Sequence, residues 1–189
     1  MKIKNKRLII TILWSVSIIT FSGCDLFKNT SQTQKITEDG IYDYNKHLHK
    51  TFIEKQFKEN WYWLISSPEY DINYMLDTLS PNAYSAEHKG KLKIKVLHKN
   101  GVPVGFTSYY MITAVKGDLF ILGVDKDQRG KGYGSELLKY SENALVLMGA
   151  QVITFVTRVD NPGAQKMYVS CGFEEIFRDE IFVHYRKNV

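Results

Sequence analysis

The chain has 189 residues, 44% hydrophobic and 24% charged, with 13 Gly, 4 Pro and 2 Cys. These proportions exclude a disordered chain, a collagen-like fibre, a polytopic membrane protein and a disulfide-stapled scaffold, and the length suits one domain plus an appendage. Four of the 25 basic residues (Lys2, Lys4, Lys6 and Arg7) precede residue 8, which leaves 21 basic against 20 acidic groups elsewhere and removes the electrostatic case for a nucleic-acid partner.

The basic start is followed by an uncharged run, Leu8 to Phe21, then Ser22, Gly23 and Cys24. Basic region, apolar region and small residues occur in the order of a secretory signal. Phe21-Ser22-Gly23-Cys24 resembles the bacterial lipoprotein lipobox, with Phe in place of the usual Leu. The resemblance implies a signal peptide over 1–23 and a lipidated Cys24 that anchors the mature chain in a membrane, outside the cytoplasm. The alternative is an uncleaved single N-terminal anchor. Residues 24–40 are polar and aperiodic, a tether between membrane and domain.

The folded domain is expected over 41–189. Apolar residues at Leu48, Phe52, Ile53, Phe57 and Trp61 predict a helix from Tyr42 to Asn60. Tyr70 to Leu79 predicts a second. Lys91 to His98 alternates as a strand, and Asn100-Gly101 marks a hairpin turn into a strand from Val102 to Ala114. Lys116-Gly117-Asp118 reads as a turn. Leu119 to Val124 reads as a central, apolar strand. Gly134 to Met148 carries a helical stripe, and Val152 to Val156 is a further strand. Asn161-Pro162 starts a last helix, closed by Gly172, before a hairpin of Phe173–Arg178 and Ile181–Arg186. The order predicts an α/β domain with a mixed, mostly antiparallel central sheet flanked by helices.

The segment between the central strand and its helix is rich in glycine: Arg129-Gly130-Lys131-Gly132-Tyr133-Gly134-Ser135. Glycines at a strand-to-helix junction let main-chain N–H groups converge on an anion, and the helix start adds free amides and a positive dipole end. The spacing fits neither the Walker A loop nor the dinucleotide fingerprint. Arg129-x-x-Gly132-x-Gly134 resembles the acetyl-CoA motif of GNAT-type N-acetyltransferases. Asn161-x-x-Ala164-x-x-x-Tyr168-x-x-x-Gly172-Phe173 resembles that family's downstream motif. The likeness is specific over 122–173.

The resemblance implies an acyl-CoA N-acyltransferase fold and direct acetyl transfer from acetyl-CoA to a primary amine on a small molecule or protein, without a metal. It implies that two strands splay apart and that backbone groups of Leu122, Gly123 and Val124 meet the pantetheine arm. Amides of Arg129, Gly130, Lys131, Gly132, Tyr133, Gly134 and Ser135 hold the pyrophosphate. Asn161, Ala164 and Tyr168 lie near the thioester, with Tyr168 as general acid. The family often has a Glu as base near 120–121, but here those positions are Phe120 and Ile121. Asp118, Asp125, Glu54, Glu59 and Glu87 are the acids that could replace it. Without a base, the alternative is an exported lipoprotein using the fold as a non-catalytic binding module. The aromatic run Trp61, Tyr62, Trp63, Tyr70, Tyr74 and Tyr84 could shape the acceptor side. The five histidines show no metal spacing with Cys, and Cys171 reads as helix-end packing.

Overall fold

The computed structural model describes residues 36–65, 67, 69–81 and 89–189. The signal, Cys24, Tyr84, Glu87 and His88 lie outside them. Strand β1 (Gly40–Asp43) leads into helix α1 (Lys46–Leu64) and helix α2 (Ile72–Thr78). Then come β2 (Lys93–Lys99), β3 (Val102–Met111) and β4 (Lys116–Val124). After them lie α3 (Tyr133–Leu147), β5 (Val152–Arg158), α4 (Pro162–Ser170), β6 (Glu174–Arg178) and β7 (Phe182–Asn188). The seven strands form one sheet in the order β1-β2-β3-β4-β5-β7-β6, antiparallel except between β4 and β5. The mixed α/β architecture is the one expected.

Two expectations change. The chain before α1 pairs as β1 with β2, so the helix starts at Lys46, where Asn45 accepts from the His47 and Leu48 amides. Lys116-Gly117-Asp118 is not a turn. The reversal falls at residues 112–115, and all three residues belong to β4. Gly117 is needed within the strand, because a Cβ there would lie 2.8 Å from the Leu145 side chain of α3.

The sheet has helices on both faces. Ile53 and Phe57 of α1 and Met75 and Leu76 of α2 pack on Leu92, Ile94, Val96, Phe106 and Ile121. Leu138 and Leu145 of α3 and Tyr168 of α4 pack on Leu119, Ile153, Phe155 and Tyr185. A buried histidine pair ties the start of α1 to the sheet. The Nε2 atoms of the buried His49 and His98 are 3.1 Å apart, and His49 Nδ1 accepts from the Asn45 amide at 2.9 Å. With Nδ1 an acceptor, neutral His49 carries its proton on Nε2 and donates to His98.

The β3–β4 register pairs Ser108 with Ile121 and Tyr109 with Leu119, so Phe120 is an extra residue in β4. Such a bulge bends its strand. It also sends Leu119 and Ile121 into cores on opposite faces of the sheet. On its other edge β4 pairs with β5 only through Lys116, Gly117 and Asp118. Beyond the bulge the two parallel strands diverge.

Candidate active site

The divergence opens a cleft of about 640 Å³ between β4, β5, the start of α3 and α4. Its wall includes Leu122, Gly123, Val124, Arg129, Gly130, Gly132, Tyr133, Gly134, Ser135, Asn161, Ala164 and Tyr168. Lys131 stands outside this lining, its ammonium on Gln128 at 2.7 Å.

Alternation along β4 decides which backbone groups face the gap. The Asp125 amide donates to the Val104 carbonyl of β3. Groups two residues apart share an edge, so Gly123 also faces β3, and Leu122 and Val124 face the open side. The Val124 carbonyl accepts from Arg129 Nε at 3.1 Å.

The glycine-rich turn owes its shape to two left-handed residues, Gly130 at φ 77° and Gly132 at φ 84°. No heavy atom lies within 4 Å of where a Cβ would sit on either, so the space above them is open. The Glu136 amide makes the first bond of α3, to the Gly132 carbonyl. Among the described residues no acceptor engages the amides from Gly130 to Ser135. The result is a concave row of N–H donors at a positive helix end. Gly134 brings α4 close, since a Cβ there would meet Met167 Sδ at 2.9 Å.

Across the cleft, Asn161 caps α4 by accepting from the Ala164 amide at 3.2 Å. Tyr168 is 6% exposed, its ring 4.3 Å from that of Phe155 and 5.6 Å from that of Tyr185. Burial, then the neighbouring Tyr185, raises its pKa, so the phenol keeps its proton at neutral pH.

A second cavity of about 400 Å³ lies between the end of α1 and β4, β5 and β7. It shares Trp63, Leu64, Leu119, Phe120, Val156 and Thr157 with the first, so the two meet across the splayed strands. Asp118 is the carboxylate described in the lining of either. Burial pushes its pKa up to about 6, against weaker opposing effects of Thr154, whose hydroxyl donates to Oδ1 at 3.4 Å, and Lys116. Tyr110, raised to about 12 by burial and by Asp118, lines the same cavity.

The other acids considered are engaged elsewhere. Glu54 faces Lys50 and Glu59 faces Lys55. Asp125 accepts from Gln56 and lies 3.8 Å from Lys55. Of the aromatic run, Tyr62 and Trp63 line the second cavity, while Tyr70 packs in the core on Phe57. Cys171 is half-buried and its carbonyl accepts from Lys187. Among the described residues no group of three or more His, Cys, Asp or Glu could hold a metal.

The model of the acetyltransferase (GNAT) family matches residues 50–173. The chain belongs to the GNAT family. A curated relative, N-alpha-acetyltransferase 30 from Schizosaccharomyces pombe, is 34% identical over 61 residues, 32% of this chain. The match spans only 41% of that relative's length. Among solved structures, Ard1 from Thermoplasma volcanium aligns at TM-score 0.60 and 17% identity, over 80% of this chain and 97% of its own. The PaiA N-acetyltransferase from Thermoplasma acidophilum, solved with coenzyme A, aligns at 0.62 and 17%, over 80% and 99%. At these identities the structural likeness is one of fold.

Proposed function

We propose that this chain is an N-acetyltransferase that moves acetyl directly from acetyl-CoA to a primary amine on a small molecule or protein. The observation that carries the reading is the pair of joined cavities, with the row of free amides in the first and the Asp118 carboxylate in the second. Acetyl-CoA is the acyl donor. Its pantetheine arm extends along the open edge of β4, where Leu122 and Val124 offer backbone groups as a partner strand does. Its pyrophosphate sits on the amides of Gly130–Ser135. The amine enters through the second cavity as an ammonium, which Asp118 deprotonates at neutral pH. The nitrogen then attacks the thioester carbon. The new C–N bond forms, the C–S bond breaks, and the sulfur leaves as thiolate. Tyr168, protonated and beside the cleft, gives that thiolate its proton, the acylated nitrogen loses its second proton to solvent as the amide forms, and Tyr168 and Asp118 are reset by exchange with solvent. A carboxylate within β4 answers the missing strand Glu, and the catalytic reading is therefore preferred to the binding module.

Cys24 anchors this domain to a membrane through the polar tether, with the domain outside the cytoplasm, in the same proposal. Purified protein incubated with acetyl-CoA and a panel of peptides, polyamines and amino acids tests the chemistry. One or more amines should release CoA thiol and gain 42 Da. Release of no thiol with any amine would contradict it. Replacing Cys24 with Ser should move the protein from the membrane fraction to the soluble one, and a C-terminal phosphatase fusion should be active. An inactive fusion would contradict the external location.

A further inference from the structure

Helix α1 has one residue with non-helical backbone angles, Asn60, at φ −135° and ψ 18°. Beyond the kink, Tyr62 reaches the second cavity. Trp63 and Leu64 line the pair. This short stretch is pinned at each end. At the near end, Asn60 Oδ1 accepts from Arg129 Nη2 at 3.0 Å. The same guanidinium reaches the Val124 carbonyl through Nε. The fully buried Gln56, one turn before Asn60, donates to Asp125 Oδ2 at 2.9 Å and accepts from Asn60 Nδ2 at 3.5 Å. Thus α1 grips both flanks of the 126–128 turn that precedes the glycine-rich loop. At the far end, Tyr62 donates to Asp160 Oδ2 at 2.7 Å, while Arg158 stacks 3.7 Å from its ring and donates to its carbonyl at 2.6 Å.

We infer that residues 60–64 form a strap that couples occupation of the first cavity to the shape of the second, with Asn60 as its positioning residue. The inference rests on the cofactor reading above. Arg129 lines the first cavity, yet two of its donors are spent on neutral oxygens, those of Val124 and Asn60. An anionic pyrophosphate on the neighbouring amides competes for that guanidinium, and charge-assisted bonds are roughly twice as strong as neutral ones. Once Arg129 turns to the phosphate, Asn60 is released and only the Tyr62 end holds the strap. Trp63 then shifts, and the second cavity opens to the amine.

The chain's three tryptophans are Trp14, Trp61 and Trp63, so in a Trp14→Phe background fluorescence reports the strap alone. CoA is titrated into the full chain and followed by calorimetry and by tryptophan emission. In that background the emission should change with the same midpoint as the heat. In Asn60→Ala the strap is already free. Emission should start near the CoA-saturated value and change little, while CoA binds with the same affinity or up to about fivefold tighter, the equivalent of one neutral hydrogen bond no longer opposed. Asn60→Asp keeps an oxygen for Arg129 and adds charge, so it should retain the emission change and bind CoA more weakly. An unchanged emission response in Asn60→Ala, or loss of the response in Asn60→Asp, overturns the coupling. Heat without any emission change in the parent overturns it too and leaves the cofactor reading standing. Absence of heat overturns the cofactor reading, and the inference with it.

Discussion

At the scale of single residues, the two proposed proton-transfer groups sit in environments that push them into opposite roles. Tyr168 is buried among Phe155 and Tyr185 and stays protonated. Replacing it with Phe removes the hydroxyl and keeps the ring packing, so the turnover number should fall by about 10²-fold or more with little change in acetyl-CoA affinity or melting temperature. Asp118, at about 6, is mostly ionised at pH 7. Activity should therefore drop as pH falls through about 6, and Asp118→Asn should lose about 10²-fold in rate and the acid limb with it. The raised folded pKa also means that charging Asp118 opposes folding above the ordinary carboxylate range. The Asn variant should melt at the same temperature or higher at pH 7, which separates a lost base from a lost fold. A rate for Asp118→Asn equal to that of the parent would remove Asp118 from the mechanism.

At the scale of elements, the glycine-rich turn and the α1–β2 contact make the sharpest demands. Gly132 opens α3 in a left-handed conformation with nothing above it. Gly132→Val should cost about 1–3 kcal/mol of stability, seen as a lower melting temperature, and should weaken CoA binding by placing a side chain in the cradle. The His49–His98 pair responds to acid. Burial first, then His98, lowers the His49 pKa from 6.5 to about 4. The unfolded chain takes up that proton at higher pH than the folded one. Stability is therefore full above about 6.5 and should fall towards pH 4 by up to about 1.4 kcal/mol per pH unit. Melting curves from pH 7 to 4.5 should show this slope, and His49→Gln should flatten it. Most of the elements were legible because apolar periodicity, Asn100-Gly101, Asn161-Pro162 and Gly172 are local signals. The four-residue edge strand β1 had too little periodicity to read. The bulge at Phe120 left no mark, since any residue can occupy it and only the β3 partner reveals it. With 116–118 read as a turn, Asp118 stands as one of several candidate acids and not as a strand residue in the cavity wall, because Gly next to Asp is a turn signal until Leu145 is seen to require that glycine.

At the scale of the whole molecule, the strap, the bulge and the glycine turn converge on the point where β4 and β5 part. The bulge separates the strands, α3 and α4 wall one side, and the end of α1 with β7 walls the other. The glycine motif and Asn161 to Tyr168 were readable as one site only through the resemblance of both motifs to the GNAT family. The second cavity was not, since its residues come from six separated segments and meet only through the sheet order. Among the described residues no helix is long and apolar enough to cross a membrane. In the proposed reaction the amides after β4 hold the pyrophosphate of acetyl-CoA. Amide-resolved NMR of the full chain during a CoA titration tests it most directly. The largest, saturable shifts should fall at Gly130 to Ser135. Saturable binding that leaves those amides unmoved would contradict it.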